Sequence, residues 1–89
     1  MNWTIKFSSI AEKHYTKLDK KLKKRIKEKL IEIALLENPP EHSQVKPLTG
    51  ELRDFYRLRV GDYRLIFSLI KEEKIIAVVN ITSRSGIYK

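Results

Sequence analysis

Residues 2–7 alternate between apolar and polar and predict a first strand. Ser9 and Glu12 then stand at capping-box spacing. Ala11, Tyr15, Leu18 and Leu22 follow at helical spacing, so a first helix is expected from about Ile10 to Leu18. Asp19 is placed to cap a second helix, whose apolar stripe is Leu22, Ile26, Leu30 and Ile33. Asn38-Pro39-Pro40 ends it, because proline lacks the amide and disfavours helix in the residue before it. The two helices form a hairpin whose apolar stripes need a surface to cover.

Residues 38–50, rich in Pro, Ser, Thr and Gly, are expected to be loop. Alternation returns in Tyr56–Val60 and again from Tyr63 to Phe67, on either side of Gly61-Asp62. That is a β-hairpin with a two-residue turn. A last strand, Ile75–Ile81, is apolar on both faces and should be central. The order β-α-α-β-β-β predicts an α+β fold in which a helical hairpin packs on a mainly antiparallel four-stranded sheet, with residues 1–89 as one domain. No internal repeat or low-complexity segment interrupts it.

The two-residue turn sets the hairpin register. Val60 faces Tyr63, Leu58 faces Leu65 and Tyr56 faces Phe67 on one side, while Arg59 faces Arg64 on the other, with Arg57 two residues along. Like charges directly opposite each other destabilise a sheet, so folding alone does not account for them. Binding a phosphate-rich partner does. If Lys71–Lys74 closes the next hairpin symmetrically, Ile70 faces Ile75 and Arg64 faces Ile81. Phe55 and Ile66 then share the arginine face with Val79 and Ile81, leaving an apolar patch that two helices on the opposite face cannot cover.

Charge sharpens this picture. The 89 residues carry a formal net charge of +8, which favours an anionic partner. The positive residues from Lys13 to Lys29 are all lysine except Arg25. Every other arginine lies in the sheet half: Arg53, Arg57, Arg59, Arg64 and Arg84. The lysine run is a solvated helix face or a non-specific contact to RNA phosphate. The arginines pair with local carboxylates such as Glu51 and Asp54, or they bind phosphate. With no cysteine, there is neither a disulfide framework nor a thiolate metal site. His14 and His42 are isolated, so no metal or other cofactor is expected, and Trp3 is expected to be a packing residue. The Met1–Phe7 stretch is too short and polar for a signal peptide. No apolar run approaches the ~20 residues of a membrane span. The expectation is a small cytoplasmic protein whose thin core buries roughly 60–65% of its unfolded surface.

With Lys46-Pro47-Leu48-x-Gly50, then Tyr56-Arg57-Leu58-Arg59-Val60-Gly61-Asp62-Tyr63-Arg64, then Arg84-x-x-Ile87-Tyr88, the chain resembles the RelE/ParE superfamily of toxins from toxin–antitoxin pairs over nearly its whole length. The resemblance implies two activities on one fold. RelE-like members cut mRNA in the ribosomal decoding site, and ParE-like members inhibit DNA gyrase. In both, an antitoxin wraps around the toxin. RNA cleavage requires deprotonation of a 2′-hydroxyl, stabilisation of the phosphorane and protonation of the leaving 5′-oxygen. By resemblance, Arg57 matches a basic position near the 2′-hydroxyl. Arg59 and Arg64 match phosphate and transition-state positions, Arg84 a basic tail position, and Tyr88 the tail tyrosine, which otherwise would cap the core edge. Lys46 and Arg53 are candidate RNA contacts, and Lys46 reads equally as a solvated side chain.

Two departures from the family pattern bear on proton transfer. Arg57 stands where lysine would be the better proton acceptor, since a guanidinium stays protonated. Ser83 stands where many relatives carry a histidine. Electrostatic stabilisation is untouched by either. Three readings follow: a ribosome-dependent mRNA endoribonuclease, a gyrase-directed poison without chemistry, and a weak member that acts with its antitoxin as a DNA-binding autorepressor.

Overall fold

The computed structural model describes residues 2–83, the Leu52 side chain excepted. Strand β1 spans Thr4–Phe7, helix α1 Ser9–Thr16 and helix α2 Lys20–Ala34. Four strands follow: β2 Val45–Pro47, β3 Tyr56–Val60, β4 Tyr63–Ile70 and β5 Ile75–Ser83. They form one sheet in the order β1-β5-β4-β3-β2, antiparallel except for the β1–β5 pair. The helical hairpin on a mainly antiparallel sheet is as expected. The sheet has five strands rather than four, because part of the expected 38–50 loop pairs as β2. Pro47 has no amide to give to a ladder, and it is tolerated because β2 is an edge strand.

Both helices start at side-chain caps. Asp19 accepts from the Leu22 amide at 2.8 Å, as expected. The cap of α1 is Ser8, not Ser9: the Ser8 hydroxyl accepts from the Ala11 amide at 3.0 Å. Helix α2 turns Ile26, Leu30 and Ile33 inward, where they are buried with Ala11 and Ala34. Opposite them lie Leu58 and Val60 of β3, Leu65 and Phe67 of β4, and Ile76, Val78 and Ile81 of β5. Tyr56 stacks on Phe67 with ring centroids 5.6 Å apart. Trp3 is buried, and its indole N–H donates to the Glu37 carbonyl.

The β3–β4 register is as the sequence predicts, with Leu58 opposite Leu65 and Arg59 opposite Arg64. At the turn Gly61 has a φ of 60°, and Asp62 is not among the positive-φ residues, the pattern of a type II′ turn. The β4–β5 register is corrected. It starts symmetrically, with Ile70 opposite Ile75 and Phe67 opposite Val78. It then slips, so that Ile66 faces Asn80, Leu65 faces Ile81 and Arg64 faces Thr82 rather than Ile81. The extra residue is Val79, a β-bulge. It reverses the alternation of β5, so Ile81 is buried in the core instead of lying with the arginines.

Helix α1 braces this bulge. The Ser8 hydroxyl that caps the helix also donates to the Val79 carbonyl at 2.9 Å. Further along, His14 Nδ1 lies 3.0 Å from the Ile81 carbonyl, which only accepts, so this nitrogen carries the proton. Strand β1 ends at Phe7, and these two side chains take β5 carbonyls beyond its reach. Ser8→Ala removes a helix cap and a partner of the bulge together. It should lower unfolding free energy by about 1–2 kcal/mol, read from urea denaturation.

Candidate nucleic-acid interface

The sheet face away from the helices carries cations in two rows. In the first, Lys46 of β2 faces Arg57 of β3, Arg57 faces Ile66 of β4, and Ile66 faces Asn80 of β5. In the second, Arg59 faces Arg64 and Arg64 faces Thr82. Side chains directly opposite on paired strands stand about 4.5–5.5 Å apart at Cβ. Arg57 and Arg64 are half-buried, while Lys46 and Arg59 are exposed. Among the described residues, no carboxylate lies within ion-pair distance of Arg57, Arg59 or Arg64. Pairing with Glu51 or Asp54 therefore does not explain these three arginines.

A pocket of about 680 Å³ opens between the rows. Its apolar wall is Leu48, Phe55, Ile66 and Val79; Arg57, Arg64 and Asn80 supply its polar side. Leu48 and Phe55 come from the segment leading into β3, and the Leu48 amide donates to the Phe55 carbonyl at 3.0 Å, which closes that segment beside the sheet. Phe55, Ile66 and Val79 thus form the apolar patch expected on the arginine face, without Ile81. Arg53 is exposed on the same segment and does not line the pocket. Sequence reasoning missed Asn80. The available signal was a single amide inside the otherwise apolar Ile75–Ile81 run.

Arg84 and Tyr88 lie outside the described residues. Ser83 ends β5 opposite Tyr63, on the face that packs against the helices and not on that of Arg64. His14 is engaged with Ile81, and His42 Nε2 lies 3.0 Å from Glu32. That hydrogen bond, with the Lys29 charge beside it, holds the Glu32 carboxyl below the usual carboxylate range. Among the described residues no group of three or more His, Cys, Asp or Glu side chains could hold a metal ion. None of their helices is long and apolar enough to cross a membrane. A second concavity of about 540 Å³, between β1 and the helices, is lined mainly by Ile5, Phe7, Tyr15, Leu30 and Ile31 and lacks an arginine.

A family model for the ParE toxin of type II toxin–antitoxin systems matches residues 5–88. The chain belongs to this family, within the RelE/ParE toxin superfamily. It is 35% identical to a putative RelE-like toxin protein of Escherichia coli, covering 99% of this chain and 92% of that protein. It is 29% identical to toxin RelG of Mycobacterium tuberculosis, covering 100% and 99% respectively. Among solved structures, the archaeal RelE–RelB complex of Pyrococcus horikoshii contains a chain 29% identical, with a TM-score of 0.77 over 96% of this chain and 98% of that one.

The Thr82 hydroxyl, opposite Arg64, is sealed from solvent with no hydrogen-bond partner among the described residues. A buried polar group without a partner costs about 1–3 kcal/mol. Thr82→Val keeps the side-chain shape and removes that cost. It should raise the midpoint of thermal unfolding.

Proposed function

We propose that this protein is the toxin of a toxin–antitoxin pair that cuts mRNA held in the ribosomal decoding site. The observation that supports this most is the run of cations across three strands, Lys46, Arg57, Arg59 and Arg64, with no carboxylate partner for the arginines among the described residues. The reaction removes the 2′-hydroxyl proton. The 2′-oxygen attacks the adjacent phosphorus, the bond to the 5′-oxygen breaks, and that oxygen takes up a proton. The products are a cyclic 2′,3′-phosphate and a 5′-hydroxyl. The arginines stay protonated and hold the extra negative charge of the phosphorane. They are poor proton acceptors, so the ribosome must supply much of the alignment of the attacking oxygen. Arg84 and Tyr88 would complete the site from the tail, with Lys46 and Arg53 as RNA contacts.

Primer extension on mRNA from cells expressing the protein should show new cleavage sites. A second reading, a gyrase-directed poison, rests on the match to the ParE model and on the absence of a near-neutral acid/base among the described residues of the arginine face. Intact mRNA together with lost gyrase supercoiling would favour that reading.

Arg59→Ala and Arg64→Ala should each relieve growth inhibition without unfolding the protein, since both side chains lie off the core. Loss of one transition-state contact costs about 3–4 kcal/mol, or 10²–10³ in rate. Full toxicity of either variant at equal expression would place the site elsewhere. Arg57→Lys should keep or raise activity, because lysine is the better proton acceptor.

The partner proposed for the same face is a cognate acidic antitoxin. It would lay carboxylates on the arginines and apolar side chains on Phe55, Ile66 and Val79. Exposed ion pairs alone are screened away at high salt, where the Debye length is roughly 3 Å at 1 M. Apolar burial is not. The complex should survive a wash of about 1 M salt during co-purification, and complete loss of the antitoxin would leave only the electrostatic part.

A further inference from the structure

The second row of the arginine face, Arg59, Arg64 and Thr82, contains one side chain that neither folding nor the charge pattern explains. The Thr82 hydroxyl is the one buried side-chain polar atom among the described residues that has no hydrogen-bond partner. Buried polar atoms in folded proteins are almost always paired, so an orphan needs a reason. Packing does not supply one. Valine has the same shape, suits a strand as well and leaves nothing unsatisfied. The bulge at Val79 puts the threonine on this face, whereas unbroken alternation would carry it to the core side.

Arg64 stands directly across the strand pair from Thr82. A guanidinium carries five N–H donors and a threonine hydroxyl accepts, so the two could pair. They do not. Arg64 lines the pocket instead, and no described carboxylate lies within ion-pair distance of it. An arginine without a carboxylate and a hydroxyl without a partner thus stand side by side. A phosphate satisfies both, because its non-bridging oxygens accept from a guanidinium and from a hydroxyl alike.

Resting on the reading of this face as an mRNA-cleaving site, we propose that Thr82 is a phosphate-binding residue of that site, its hydroxyl donating to a non-bridging oxygen of the phosphate that Arg64 holds. Arg64 moves outward onto the phosphate and uncovers the hydroxyl. The hydrogen bond strengthens as negative charge builds on those oxygens in the phosphorane. The hydroxyl keeps its proton throughout, so it adds charge stabilisation and no acid/base function. The free protein carries an unpaired buried group and the substrate satisfies it, which trades stability for activity.

The test makes two measurements on the full-length protein and on two variants: the midpoint of thermal unfolding, and the single-turnover rate of cutting mRNA on stalled ribosomes. Thr82→Val should melt higher than the wild type and cut about ten- to a hundredfold more slowly, the range of one hydrogen bond to a charged group. Thr82→Ser keeps the donor and should cut at close to the wild-type rate, without the gain in midpoint. Three results would overturn the inference and leave the cleavage reading standing. Thr82→Val could cut as fast as the wild type, or Thr82→Ser could be as slow as Thr82→Val. The Thr82→Val midpoint could also fall, which would show that a bound water already satisfies the hydroxyl. A wild type that cuts no ribosome-bound mRNA would overturn both, and that outcome is distinct from the other three.

Discussion

What β5 contributes to the arginine face, and to the core behind it, depends on the bulge at Val79. Side chains alternate along a strand with a period of two, so parity decides which residues meet the core. With Ile76 and Val78 buried, unbroken alternation would bury Asn80 and Thr82 and expose Ile81. One extra residue reverses this. Ile81 joins the core, while Asn80 comes opposite Ile66 and Thr82 opposite Arg64. The bulge is held from the other side of β5, where the Ser8 hydroxyl takes the Val79 carbonyl. The start of helix α1 is thus tied to the residue at which the alternation of β5 reverses.

The arginine face carries an electrostatic load that the rest of the fold must offset. Arg59 and Arg64 oppose each other directly, and Lys46 stands beside Arg57. Such pairs are unfavourable in the free protein, and more so at low ionic strength. The stabilisation comes from the far side of the sheet, where β3, β4 and β5 bury Leu58, Leu65, Phe67, Ile76 and Val78 against the helices. An anionic partner, whether RNA phosphate or an acidic protein segment, relieves the repulsion. On the proposed function, one property of the sheet accounts for binding both the substrate and the inhibitor.

Some of this was legible in the chain. The β3–β4 register followed from strict alternation and a glycine at the turn, and Asp19 was readable as a cap because a clear apolar stripe follows it. The cap of α1 was misplaced by one residue, since Ser9 has a glutamate three positions on and Ser8 does not. Ser8 holds the position because it follows directly from β1 and is pinned to β5. The bulge left no mark, because Val78-Val79 lies in an apolar run that is equally acceptable on either face. Strand β2 has only three residues, one of them proline, and its pairing comes from β3 rather than from its own composition. The pocket wall depends on Leu48 and Phe55 meeting across a loop, which periodicity does not report.

On the proposed function, this site works by charge stabilisation, with no near-neutral acid/base among the described residues of the arginine face. The most direct test is the pH dependence of single-turnover cleavage on stalled ribosomes carrying mRNA, with purified protein. If hydroxide rather than a side chain removes the 2′-proton, the logarithm of the rate should rise by about one unit per pH unit between about pH 6 and 9. It should show no bend near the ordinary histidine pKa of about 6.5. A bell-shaped profile with a limb between about pH 6 and 7, or no cleavage at any pH, would contradict it.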